Sequence, residues 1–120
     1  MNITHRRFDY ALTILKVLCE FTHKNDTVLR AADLAEHSRM SVPHLEPIVR
    51  CLRDDGVVVS GRGPKGGYAI APGALNRSME SIFLTLRENK DKPLSQADRW
   101  VLGLMRGQTV GAFLNAQATN

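Results

Sequence analysis

The residues best placed to do chemistry are the cations in the stretch Gly61-Arg62-Gly63-Pro64-Lys65-Gly66-Gly67-Tyr68. Glycines let a backbone approach a bulky ligand without obstruction from side chains. Two cations among them suit a polyanion, whose phosphates they can neutralise. A purely structural hairpin has no need of a guanidinium between glycines, which singles out Arg62. The stretch is no nucleotide loop: it lacks the Lys-Ser/Thr ending of a P-loop and the strand-to-helix setting of a dinucleotide fingerprint. No Ser/His/Asp set and no cluster with metal-ligand spacing emerges elsewhere, so an enzyme is not expected. His44 and Cys51 are too far apart along one helix to chelate a single ion. His37 and His44 flank a turn, where a structural or ligand-facing role is expected over a metal site. A thiol at Cys51 is inert unless its surroundings lower its pKa, so a redox role stays an open alternative.

Composition sets the frame for these residues. The chain has 120 residues, 43% hydrophobic and 23% charged, which fits one soluble globular domain with a modest core and an added helical arm. The formal charge of +4 permits a polyanionic partner without demanding one, because the excess is spread evenly over residues 1–72 and 73–120. Cys19 and Cys51 are too few for a disulfide framework and read as reduced thiols. The start MNITHRRFDY has no apolar signal-peptide core and no run is long enough to span a membrane, so a cytoplasmic protein is expected.

The elements that must position the cations follow from periodicity. Phe8, Ala11, Leu12, Leu15, Leu18 and Cys19 recur at three- and four-residue steps and predict a helix over about 4–22, with Thr4 as its cap. Asn25 and Asp26 mark a turn, Val28-Leu29 a very short strand, and Ala31–Glu36 a short second helix. Ser41 can cap a third helix, with Pro43 in its first turn and Leu45, Ile48, Val49 and Leu52 as its buried stripe. Gly56 should close it, and Pro47 should bend it early or loosen its first turn. Val57–Val59 and Tyr68–Ile70 predict two strands around the glycine-rich loop, ended by Pro72 and Gly73. Ser78 caps a fourth helix bearing Met79, Ile82, Phe83 and Leu86. After the polar break Glu88–Pro93, Ser95 and Asp98 form a capping box that opens a last helix reaching about Ala116. The fold class is therefore mainly α with a small β-hairpin. It is a winged helix-turn-helix over 1–73, followed over 74–120 by a fourth helix, a polar linker and a C-terminal dimerisation helix. A major groove about 12 Å wide admits one such helix, with a hairpin wing lying beside it on the backbone or minor groove.

Two stretches strengthen that reading. The pattern LxxxGVVxSxRGPxGGYxIA from Leu52 onward and SxxHLEPIVRxLR over Ser41–Arg53 resemble the Rrf-two family, bacterial winged-helix regulators that include the IscR and NsrR types. The resemblance covers about residues 3–88 and is looser in the last helix. It implies a transcriptional repressor binding double-stranded DNA as a homodimer on a near-palindromic operator. It also implies that the third helix enters the major groove, with base contacts from Ser41, Pro43, His44, Glu46 and Pro47, while Arg62 reaches the minor groove. Neither proline supplies a side-chain hydrogen bond, so the preferred sequence should differ from that of relatives with polar residues there. Glu46 can accept a hydrogen bond from cytosine N4, or instead pair with Arg50 at i+4. Ser41 can be a helix cap and no more. Arg6, Arg7, Arg39, Arg50, Arg53 and Lys65 are candidates for phosphate contacts, which position without reading bases. Tyr68 is expected to pack at the base of the wing.

Two further expectations concern the C-terminal half. Many members of the family carry three clustered cysteines between the fourth helix and the dimer helix, where they hold an iron–sulfur cluster. The matching stretch Arg87–Leu94 contains neither Cys nor His, so no cluster or other cofactor is expected. Gly103, Gly107 and Gly111 recur at four-residue spacing in the last helix, marking either close approach of a partner helix or a break near Gly107. A dimer contact through Val101, Leu104, Met105 and Phe113 is the favoured reading, because these would otherwise form a long exposed apolar stripe. Arg99 and Arg106 exclude the membrane meaning of that glycine spacing. The rival function is a cluster-free sensor module whose main role is binding a partner protein or a small metabolite.

Overall fold

A computed structural model describes residues 3–22, 27–61 and 66–118 of the protein. The described chain runs α1 (Ile3–Thr22), α2 (Ala31–Ser38), α3 (Val42–Asp54), β1 (Val58–Ser60), β2 (Tyr68–Ile70), a 3-10 turn (Ala74–Asn76), α4 (Met79–Thr85), α5 (Gln96–Leu104) and α6 (Val110–Ala118). Thr4 lies inside α1, which already includes Ile3. The expected turn at Asn25 and Asp26 falls outside the described residues.

The core is built around α1, whose Ala11, Ile14, Leu15 and Leu18 are wholly buried. It packs against α2, α3, α4 and β2. Leu34 of α2, the stripe Leu45, Ile48, Val49 and Leu52 of α3, and Met79, Ile82 and Phe83 of α4 close over it. Phe83 meets the rings of Phe8 and His5 edge-on, at 5.3 and 5.4 Å between centroids. Burying such side chains contributes about 1.5–3 kcal/mol each, before the entropy cost of ordering them.

Local chemistry sets the ends of α3. Ser41 accepts a hydrogen bond from the His44 N–H at 3.3 Å, so it does cap the helix. At the other end Gly56 takes φ +79°, Gly56 N–H returns to Arg53 O and Val57 N–H to Leu52 O, a Schellman closure. α3 runs unbroken through Pro47 to Asp54. The donor missing at residue 47 would have served the carbonyl of exposed Pro43, which water can satisfy instead.

The hairpin pairs Val58 with Ile70, Val59 with Ala69 and Ser60 with Tyr68. The very short strand expected at Val28-Leu29 is a single bridge, with Leu29 and Tyr68 exchanging both backbone hydrogen bonds at 2.9 and 2.7 Å. Thr22, at the end of α1, accepts the Ile70 N–H at 3.1 Å and so fixes β2 to the body.

The C-terminal half departs from a single helix. Gly107 adopts φ +79° and separates α5 from α6, which settles the alternative left open by the glycine spacing. Segment 77–79 pairs with 108–110 through Met79 N–H to Gln108 O and Val110 N–H to Arg77 O, both 2.9 Å. α6 thereby folds back on the 3-10 turn, burying Val110 and Leu114. α5 begins with the expected capping box: Asp98 N–H donates to Ser95 Oγ at 3.0 Å and Ser95 N–H to Asp98 Oδ2 at 3.1 Å.

Candidate nucleic-acid interface

The sequence requires α3 to show one face to the core and another to solvent, and it does. Leu45, Ile48, Val49 and Leu52 face inward, while Pro43, His44, Glu46, Pro47, Arg50 and Arg53 are exposed. Among the described residues neither Glu46 nor Arg50 forms an ion pair, and Arg53 makes only a loose one with Asp54 at 4.0 Å. His44 is held edge-on by Tyr10 of α1, with ring centroids 4.6 Å apart at 83°.

The turn leading into α3 carries a cation in an unusual conformation. Arg39 ends α2 with φ 59° and ψ 45°, and it is the sole non-glycine with positive φ among the described residues. Its N–H returns to Glu36 O at 3.2 Å and that of Met40 to Ala35 O at 3.0 Å. The side chain of Arg39 is exposed beside the start of α3.

Other candidates divide. Arg6 is exposed on α1. Arg7 is half-buried and donates to Cys51 Sγ at 3.0 Å, so its guanidinium braces α3 from behind. Arg62 and Lys65 lie outside the described residues, and only the base of their loop is placed, with Gly61 N–H donating to Gly67 O at 2.6 Å. That base shows a use for glycine that the sequence reading missed. A Cβ on Gly67 would sit 2.4 Å from Leu29 O and 2.9 Å from Arg30 N, so at this position the small residue admits the α1–α2 linker against the wing. The same contact places exposed Arg30 at the foot of the wing, a cation without any motif to announce it.

The four dimerisation candidates are spread over α5, the turn after it and α6. Val101 and Leu104 are on α5, with Leu104 68% exposed beside Trp100 at 71%. Met105 follows α5 and Phe113 is on α6, and both pack partly buried against the protein's own core. Of the three evenly spaced C-terminal glycines, Gly111 alone makes a close approach, to Leu75 O of the same chain, while Gly103 and Gly107 face open space. The apolar stripe is divided because the break at Gly107 turns its second half inward.

This arrangement is a helix-turn-helix followed by a two-stranded wing, and its relatives have the same plan. A family model described as Rrf2, iron-dependent transcriptional regulator, matches residues 4–99. The chain belongs to the Rrf2 family. The HTH-type transcriptional regulator IscR of Yersinia pestis is 32% identical over 82 residues, covering 68% of this chain and 49% of that protein. IscR of Vibrio vulnificus is also 32% identical, over 68% of this chain and 48% of its own length. The chain thus spans about half the length of the curated relatives it matches. Among solved structures, T. potens IscR superposes with a TM-score of 0.72 at 20% identity, covering 98% of this chain and 87% of that one. The oxidized form of Staphylococcus aureus CymR gives 0.69 at 25% identity, covering 95% and 96%.

The Rrf2 description names iron. The segment 87–94 of this Rrf2 chain offers neither thiolate nor imidazole. It is closed by its own polar groups: the Arg87 guanidinium donates to Lys92 O, and Asp91 N–H donates to Asn89 Oδ1 at 3.0 Å. Cys19 and Cys51 lie on different helices, and no group of three His, Cys, Asp or Glu that could hold a metal occurs among the described residues. No helix of the described residues is long and apolar enough to cross a membrane.

Proposed function

We propose that this Rrf2 chain binds double-stranded DNA sequence-specifically as a cytoplasmic homodimer and represses transcription from near-palindromic operators. The observation that carries the reading is the outward face of α3, where His44, Glu46 and Arg50 stand exposed above a fully buried stripe. Charges without an ion-pair partner among the described residues, on a helix braced by α1 and α2, suit a major-groove reader. Glu46 accepts from cytosine N4, and Arg39, Arg50, Arg53, Arg6 and Arg30 hold phosphates around it. Arg62 enters the minor groove and Lys65 the adjoining backbone. Two copies meet through exposed Trp100 and Leu104 of α5, and half-sites lie one or two helical turns apart. The protein acts without an iron–sulfur cluster, its signal being a metabolite or protein.

The test is selection of bound fragments from random DNA by the wild-type protein, repeated with Glu46→Ala. The wild type should yield a palindromic consensus, and the variant should lose preference at a cytosine in each half-site. Fragments without a consensus from the wild type would overturn the reading. A monomer in sedimentation at micromolar concentration would remove the dimer from it.

A further inference from the structure

The C-terminal end of α3 is gripped by a residue that belongs to neither the wing nor the helix-turn-helix. Arg77 follows the 3-10 turn, and its guanidinium donates twice to Asp55, the residue that caps α3. One N–H reaches the Asp55 backbone carbonyl at 2.8 Å and another the carboxylate oxygen Oδ2. A helix end leaves its last carbonyls without partners and carries partial negative charge, so a forked cation there satisfies both needs. The backbone of Arg77 faces the other way: its carbonyl accepts the Val110 N–H at 2.9 Å, at the first residue of α6. One residue therefore joins the end of α3 to the start of α6. The Arg7–Cys51 contact holds α3 one turn before this cap, and the Tyr10–His44 contact holds it near its start.

We propose that Arg77 is a positioning residue for DNA recognition, a strut that fixes the tilt of α3 against α6. The proposal rests on the DNA-binding reading above. A tilt error spoils base contacts at the far end of a helix lying in a groove while leaving general attraction to phosphates in place. Arg77 therefore governs the ratio of affinities for a chosen and a scrambled sequence, not the affinity for DNA as such.

The experiment compares full-length wild type with Arg77→Met, Arg77→Lys and Asp55→Ala. Each is measured on the duplex selected by the wild type and on a scrambled duplex of equal length, across a salt series, well below the melting temperature of each variant. Arg77→Met should lower the selected-to-scrambled ratio about tenfold, Asp55→Ala by less because the backbone carbonyl at 55 still accepts, and the double variant no further than Arg77→Met. Arg77→Lys should recover part of the loss, since an ammonium can meet one of the two acceptors. The salt slope should stay at the wild-type value. A slope reduced by about one unit would make Arg77 a phosphate contact and overturn the proposal. An unchanged ratio in a folded variant would also overturn it, as would a loss that merely follows the folded fraction. If Arg77→Met does not fold, Arg77→Lys and Asp55→Ala decide the matter on the same ratio. Wild type with no preference between the two duplexes would sink the DNA-binding reading itself, and the strut with it.

Discussion

Replacing Gly67 by Ala should unseat the wing. The added Cβ would stand 2.4 Å from Leu29 O, 2.6 Å from Leu29 C and 2.9 Å from Arg30 N. All three are backbone atoms, so no side chain can rotate aside, and the linker must retreat by about 1 Å to restore ordinary contact. That movement strains both Leu29–Tyr68 hydrogen bonds, worth about 0.5–1.5 kcal/mol each. Overpacking adds about 1–3 kcal/mol, giving a loss of about 2–6 kcal/mol in all. A domain of this kind has only about 5–15 kcal/mol to lose. The melting temperature should therefore fall by about 10 °C or more, read by circular dichroism at fixed protein concentration. Gly73→Ala is the matched control: φ is −95° and nothing lies within 4 Å of the new methyl. It should be neutral or stabilise by about 0.4–1 kcal/mol through the unfolded chain. Equal melting temperatures for the two variants would refute the argument that the wing's base is closed by contact at Gly67.

Three other outcomes follow from single residues. Arg39→Gly removes a side chain from the left-handed conformation, which costs an ordinary residue about 1–2 kcal/mol, against about 0.5–1 kcal/mol for glycine's greater freedom when unfolded. Stability should hold or rise slightly while duplex affinity falls, and a loss of stability in thermal melts would contradict this. Ser38→Ala should raise stability by about 1 kcal/mol in urea unfolding, because the buried Ser38 hydroxyl makes no hydrogen bond among the described residues; a drop would show that it has a partner. Burial alone would raise the Asp98 carboxyl, but hydrogen bonds from the Ser95 backbone, His5 and the Ser95 side chain, with the charge of His5, hold it below its ordinary value. A carboxylate lowered in the folded state gives stability that is present above its unfolded pKa of about 4 and is lost as pH falls through the folded one. Asp98→Asn should accordingly flatten the fall in stability of the wild type below about pH 4, and parallel acid-unfolding curves would count against it.

The parts of the fold that sequence alone could show were those with local causes. Ser41, Gly56, Ser78 and the Ser95–Asp98 box mark helix ends through bonds to neighbours a few residues away, and each is seen at its expected place. The stripe of α3 was legible because burial repeats at helical spacing. What sequence did not show depends on distant partners. Gly107 lies in the turn between two helices while Gly103, four residues earlier, lies inside one, and the difference lies in the pairing of 108–110 with 77–79. Gly111 and Gly67 look like any glycine until Leu75 and the Leu29–Arg30 linker are brought against them. Arg7, read as a phosphate contact, points to Cys51, and Arg77, which carried no signal, grips Asp55. Of the candidate interface, the face of α3 was legible in full and the bracing behind it was not.

The central claim is that the exposed face of α3 meets a duplex, and the most direct measurement is duplex affinity of the full chain as salt is raised. The logarithm of affinity for the selected duplex should fall linearly with the logarithm of salt concentration, with a slope of about −0.9 per phosphate neutralised. Arg50→Ala should reduce that slope by about one unit. No binding at low ionic strength, or an affinity indifferent to salt and to the loss of Arg50, would contradict it.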